Sequence, residues 1–274
     1  MKALPTSTFG HKDNIIKMIN KYAPFISDLD NTDFYLGGGF AAAILFAPRQ
    51  ETGDSLQDNY FSDIDLFFKD RRSFYKTIAK IEASSAFTKT AATDNAYTYD
   101  YISDTTCVTV QCIKKYLGTP EEIVATFDIL NAGVFYEPKL DIWHLHDKAI
   151  SSTANKILAV GYTPLLDRDN PQFPDTIFFQ LERFAKYQER YGLTLSPQIY
   201  VKLVELYKEF PNLSYEKNER VRVRGYYSTY SHLVSKTFNV WEAFSFLFIN
   251  NDGWDIFSND LRNISSAYEN QSRD

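Results

Sequence analysis

Phe61-Ser62-Asp63-Ile64-Asp65-Leu66-Phe67-Phe68 is the stretch on which the fold of this chain turns. Its apolar residues predict a strand. A strand repeats its faces every two residues, so Asp63 and Asp65 share one face, about 6.6 Å apart along the backbone. Ile64, Leu66 and Phe68 share the other face and point into a core. Two acids side by side repel each other unless a cation lies between them. Magnesium takes oxygen ligands and is typically held by one or two carboxylates together with substrate phosphates. Taken alone, the pair also fits an edge strand carrying two solvated aspartates.

Upstream, Phe34-Tyr35-Leu36-Gly37-Gly38-Gly39 reads as a strand, a glycine turn and the start of an Ala-rich helix over Phe40–Phe46. Glycines let backbone N–H groups approach an anion, and a helix N-terminus adds partial positive charge. A plain tight turn is the simpler alternative. No Gly-Lys-Ser/Thr follows, and the dinucleotide spacing fails. Downstream, Phe127-Asp128-Ile129-Leu130-Asn131 places one acid in an apolar run, read as a strand over Thr126–Asn131. Thr119, Pro120, Glu121 and Glu122 just before it form a helix start. The rest of the first half predicts helices over 12–28 and Arg71–Ala83. Strands are expected at 86–89, 96–102, 106–113, Val134–Tyr136 and Asp141–His144, with a polar loop over Pro48–Tyr60.

The order of strand, glycines, helix, Asp-x-Asp strand and later acid resembles the nucleotidyltransferase superfamily with the DNA polymerase β-type catalytic fold. The residues that carry the resemblance are Leu36-Gly37-Gly38, Ser62-Asp63-Ile64-Asp65 and Asp128, within residues 34–136. Val110-Gln111-Cys112-Ile113, Pro120-Glu121-Glu122 and Phe127-Asp128 look like a variant found in phage and large-virus members. The 26 positions from Gly37 to Asp63 are more than many members show. The resemblance implies that Gly37, Gly38, Gly39 and Ser62 bind the triphosphate of a nucleoside triphosphate. It implies that Asp63, Asp65 and Asp128 are catalytic and hold two Mg2+ ions, with Mn2+ as an alternative. Asp128 would help remove the acceptor proton.

Residues 151–274 lack strand patterns and read as all-helical, with helices at Pro174–Tyr191, Pro197–Phe210, Ser228–Phe248 and Asp255–Tyr268. The stretch from Leu181 to Gly192 is similar to the helix after the catalytic head in CCA-adding enzymes and bacterial poly(A) polymerases. There Arg183, Lys186 and Arg190 share one helical face. With Tyr187, that resemblance implies contact with the incoming nucleotide; a solvated basic stripe over an aromatic core is the alternative. Arg220, Arg222 and Arg224 alternate ahead of Tyr226 and Tyr227. If extended, they form a binding edge for an RNA acceptor, or else a surface loop. The expected architecture is thus α+β: a mixed-sheet catalytic domain over 1–150, then a helical domain over 151–274. The link is expected near Ser151–Asn155 or Gly161–Pro164.

Composition sets the outer limits. The 274 residues carry 29 Lys and Arg against 35 Asp and Glu, a net charge of −6, with 44% hydrophobic residues. The apolar content suits a globular protein. The acidic balance excludes a protein that coats nucleic acid by bulk charge, though not a locally basic groove. Of the −6, residues 1–150 carry −5. No apolar run reaches the ~20 residues a membrane helix needs, and the N-terminus lacks a signal-peptide core. Cys107 and Cys112 fall on opposite strand faces and predict no disulfide, only buried thiols in a reducing cytosol. His144 and His146 lack a third ligand for zinc. The expected activity is transfer of a nucleoside monophosphate to a hydroxyl with release of pyrophosphate. An RNA 3′ end, a protein or a small molecule would accept it, in the cytoplasm of a host if the chain is phage-encoded. A non-catalytic nucleotide-binding module and an unrelated metal hydrolase are the competing readings.

Overall fold

The computed structural model describes residues 1–29, 32–46, 61–104, 106–162, 173–224 and 229–243. The loop expected at Pro48–Tyr60 and the helix expected at Asp255–Tyr268 lie outside them. The chain divides into two compact units, Met1–Tyr162 and Thr163–Asp274.

The first unit runs β1 (Lys2–Pro5), α1 (Lys12–Tyr22), β2 (Tyr35–Gly37), α2 (Gly38–Phe46), β3 (Asp63–Phe68) and α3 (Arg71–Ala83). It continues with β4 (Phe87–Ala92), β5 (Ala96–Ile102), β6 (Cys107–Leu117), α4 (Pro120–Val124), β7 (Val134–Glu137), β8 (Ile142–Leu145), α5 (Asp147–Ala154) and β9 (Ile157–Leu158). Eight strands form one sheet in the order β1-β8-β7-β2-β3-β6-β5-β4. All neighbours are antiparallel except β3 and β6, which run parallel. The sheet is mixed and the fold is α+β, as the sequence indicates.

The two sheet faces differ in how they are covered. Leu36, Ile64, Leu66, Phe68, Tyr99, Val110 and Cys112 are buried on one face. Phe74 of α3 closes on Phe68 at 5.2 Å, and Phe25 closes on Tyr101 at 5.3 Å. Burying such side chains stabilises by roughly 1.5–3 kcal/mol each. On the opposite face, Tyr35, Phe67 and Phe135 pack with Ile123, Val124, Leu130 and Ala159. That cover reaches Phe67; Asp63 and Asp65, on the same face, remain half-buried.

Three local elements depart from expectation. The helix expected over 12–28 stops at Tyr22, and a 3-10 turn follows over Pro24–Leu29. Proline disfavours helical geometry in the residue before it, and Ala23 leaves the helix at φ −129°. The strand expected over Thr126–Asn131 is instead a turn, an isolated bridge from Ile129 to Val160, and a 3-10 turn over Leu130–Ala132. The polar stretch Ser151–Asn155 runs through the end of α5 and its cap instead of forming a linker.

Buried Asn131 explains the second departure. Its Nδ2 donates to Thr153 Oγ1 and to the Ile157 carbonyl, each at 3.0 Å, and its Oδ1 accepts from Ala159 N–H at 2.7 Å. These bonds replace a strand ladder. Asn131→Ala would leave the Ala159 amide and the Ile157 carbonyl without that partner. A loss of about 1–3 kcal/mol in stability is expected, read by denaturant melting of the purified protein. An unchanged midpoint would contradict this account of the segment.

The second unit contains α6 (Phe173–Tyr191), β10 (Thr194–Leu195), α7 (Pro197–Glu209), β11 (Ser214–Arg224), β12 (Thr229–Asn239) and α8 (Val240–Ala243). Ile177, Leu181, Phe184, Tyr187 and Tyr191 are buried along α6. Ser196 caps α7 by accepting from Ile199 N–H, with Pro197 in its first turn. Of the helix expected over Ser228–Phe248, Thr229–Asn239 instead pairs antiparallel with β11, Val240–Ala243 is helical, and the rest lies outside the described residues. Thr, Tyr, Val and Phe fill the Thr229–Asn239 stretch, and these residues favour strands. Trp241 Nε1 donates to the Phe210 carbonyl at 2.8 Å. No helix among the described residues is long and apolar enough to cross a membrane.

Candidate active site

The glycine turn and the Asp-x-Asp strand lie side by side. Gly37 ends β2 and sits opposite Asp65 on one side and Phe135 on the other. A Cβ there would meet the Phe135 and Phe67 rings at 2.7 Å, so packing demands glycine. Gly38 opens α2 with φ +68°, a left-handed conformation that favours glycine. A Cβ on Gly38 would stand 3.0 Å from Asp65 Oδ2. The Asp65 carboxylate therefore rests against the turn at the start of α2, where the helix dipole favours negative charge.

Asp63 is held differently. Gln111 Nε2 donates to its Oδ2 at 2.8 Å, and the neighbouring Ser62 Oγ donates to its Oδ1 at 3.1 Å. The parallel β3–β6 ladder sets Asp63 beside Thr109 and Asp65 beside Gln111. Thr109 in turn pairs with Asp100 of β5, and its Oγ1 donates to Asp100 Oδ1 at 3.1 Å. Asp63, Asp65, Gln111, Thr109 and Asp100 thus share the open part of this face.

A cleft of about 490 Å3 borders these residues, lined among others by Lys21, Tyr22, Phe61, Ser62, Asp100 and Thr109. Tyr22 meets Phe61 edge-on at 5.3 Å, and Lys21 Nζ stands 5.3 Å from the Tyr22 ring centre. The cleft thus offers an aromatic wall, a cation, a carboxylate and hydroxyls beside the acid pair. The reverse face of the sheet is dry. Burial pushes the Cys112 thiol well above its usual range, and burial with the Glu82 carboxylate does the same to the Tyr99 hydroxyl. Both cysteines are free and lie on opposite faces of β6; Cys107 is exposed where a buried thiol was expected.

Each of the other expected site residues has its own local setting. Asp128 is half-buried in the turn after α4; its Oδ1 accepts from Ile129 N–H at 2.9 Å and its carbonyl from Gly161 N–H at 2.8 Å. Among the described residues, no three His, Cys, Asp or Glu side chains converge to hold a metal ion. Gly39 is the second residue of α2. In the second unit, Arg183 is exposed on α6, and Lys186 and Arg190 are half-buried. Tyr187 is buried and stacks on Tyr191 at 5.8 Å. Arg220, Arg222 and Arg224 take alternate register positions on β11, opposite Leu233, Ser231 and Thr229.

The sequence reading passed over Gln111, Thr109 and Asp100 as site residues. Their alternation in two predicted strands was visible. Their place beside Asp63 depends on which strands pair, and in what register, which no local signal carries.

Strand, glycine turn, helix and Asp-x-Asp strand stand adjacent at one mixed sheet, in the order on which the resemblance in sequence rests. The chain itself belongs to the Gabija anti-defense 2 family, whose model matches residues 10–156. No curated protein matches in sequence. Among solved structures, a CCA-adding enzyme in complex with ATP is similar at 13% identity and a TM-score of 0.46, over 76% of this chain and 46% of that one. A tRNA-processing enzyme with CTP is similar at 14% identity and a TM-score of 0.42, over 68% and 48%. Its apo form I gives 12% and 0.43, over 75% and 48%. The chain spans about half the length of these structures.

Proposed function

We propose that this protein is a metal-dependent nucleotidyltransferase that counters Gabija defence by moving a nucleoside monophosphate onto an acceptor hydroxyl. The observation that carries the reading is the Asp63–Asp65 pair on an open sheet face, with Asp65 seated against the left-handed Gly38 turn. The anti-defence role follows from the family to which the chain belongs.

The donor set fits a hard divalent cation. It offers carboxylate oxygens on one strand face, beside the neutral oxygen- and amide-bearing Ser62, Thr109 and Gln111. Asp63 and Asp65 would hold Mg2+, or Mn2+ in its place. When bound, the ion would offset triphosphate charge and lower the pKa of the attacking hydroxyl. Ser62 and Gln111 orient Asp63, and the Gly37–Gly39 turn fixes Asp65. The cleft beside Ser62 and Thr109 would seat the nucleoside or the acceptor group. Most of the catalysis would be positioning and charge compensation on rigid strands. Asp128 has no role in this scheme. The basic positions of α6 and β11 would serve a nucleic-acid acceptor, such as an RNA 3′ end; a protein hydroxyl would not need them.

The purified chain is to be incubated with each α-labelled nucleoside triphosphate, Mg2+, and either RNA or Gabija proteins. Label should pass to one acceptor class and remain there after denaturation, with a marked preference among the four nucleotides. Absence of transfer to RNA, to protein and to small molecules would contradict the reading.

A further inference from the structure

We infer that Gln111 is a positioning residue of this site, and that its neutral amide restricts the acid pair to a single divalent ion. The inference rests on the nucleotidyl-transfer reading above.

The amide reaches along the ladder. Gln111 pairs with Asp65 in register, yet its Nε2 donates to Asp63 Oδ2 at 2.8 Å. Ser62 Oγ occupies the other Asp63 oxygen at 3.1 Å. Each oxygen has two lone pairs, so each spends one on a donor and keeps one for a ligand. The two donors hold the carboxylate in one orientation before any cation arrives. Partners of this kind typically change metal affinity by about 10–100-fold when removed.

Charge sets the number of ions. Two divalent ions about 3.5–4 Å apart need several carboxylates to bridge and offset them. On this face Asp63 and Asp65 supply two negative charges. Their neighbours across β6 are Thr109 and Gln111, both neutral. Among the described residues of these paired strands, the next acid on this face is Asp100, one strand further out at ~9.6 Å from β3, and it already accepts from Thr109. No three candidate ligands converge among the described residues. One ion is what this face can neutralise without substrate.

The test is a Mn2+ titration of the full chain by calorimetry and by electron paramagnetic resonance of free Mn2+. It uses the wild type, Gln111→Met and Gln111→Glu, each with and without a non-hydrolysable nucleoside triphosphate. Without nucleotide, whose phosphates are themselves metal ligands, wild type should bind one Mn2+. Gln111→Met keeps the volume but lacks the donor; it should bind one ion about 10–100-fold more weakly. Gln111→Glu adds a carboxylate beside Asp63 and should bind two. Two ions on the wild type without nucleotide, or an unchanged affinity in a folded Gln111→Met protein, would overturn the inference and leave nucleotidyl transfer standing. No Mn2+ binding by the wild type with or without nucleotide would overturn both. The wild-type stoichiometry needs no variant, so a variant that misfolds does not shield the claim.

Discussion

Asp63→Asn and Asp65→Asn are each expected to reduce the proposed nucleotidyl transfer by at least about 10²–10³-fold, the scale on which a preorganised electrostatic contact is lost. Both variants should still melt cooperatively near the wild-type temperature. The reason lies in the environment of each acid. Asparagine keeps an oxygen that can accept from Gln111 Nε2, so the local bonding at position 63 survives in form. At position 65 the amide is close in size to the carboxylate and can occupy the same space beside Gly38. Removing a negative charge also relieves repulsion between two acids on one face, which costs stability when no cation is present. Activity and stability should therefore move independently. A parallel loss of both would make the acids structural and would remove the case for a metal site.

Gly37→Ala should act through the fold first. A Cβ at that position meets two rings at 2.7 Å, and both rings are buried, Phe135 at 0% and Phe67 at 4% exposure. Phe135 and Phe67 also press on each other at 5.5 Å and on Phe127 at 5.6 and 5.8 Å. The rings cannot yield without disturbing that cluster, and overpacking of this kind costs about 1–3 kcal/mol. For a protein of this size each kcal/mol lowers the melting temperature by roughly 2–4 °C. Because β2 carries both Gly37 and the entry to the Gly38 turn, activity should fall along with stability. A melting curve that coincides with wild type would contradict the packing account.

The acid pair was legible in the sequence because a strand's period of two is local. Asp63 and Asp65 had to share a face, and Ile64, Leu66 and Phe68 had to share the buried one. The glycine turn was legible for a related reason: glycines after a short apolar strand are the residues that tolerate the positive φ of a tight turn, which Gly38 adopts at +68°. The strand expected over Thr126–Asn131 was misread because Phe-Asp-Ile-Leu-Asn fits a strand by composition. The structure instead uses Asn131 to satisfy the backbone groups of Ile157 and Ala159, beyond α5, and the Thr153 hydroxyl within it. The hairpin over Ser214–Arg224 and Thr229–Asn239 departs from the all-helical expectation for residues 151–274. Alternating arginines suggested an extended segment, but aromatic residues further on suited a helix equally well. Gln111 was out of reach, since its role exists only once β3 and β6 are paired in register.

The net charge also reads differently with the structure in hand. Part of the acidic excess of the first unit sits on one open sheet face, at Asp63, Asp65 and Asp100. A cation on that face would offset the charge where a triphosphate must approach.

The most direct test of the central claim is product analysis with an α-labelled nucleoside triphosphate, Mg2+ and the acceptor class found above. Wild type should release pyrophosphate in equal amount to the label fixed on the acceptor, and the folded Asp63→Asn, Asp65→Asn double variant should release none. Release of orthophosphate by wild type, or retained labelling by the folded double variant, would contradict the account.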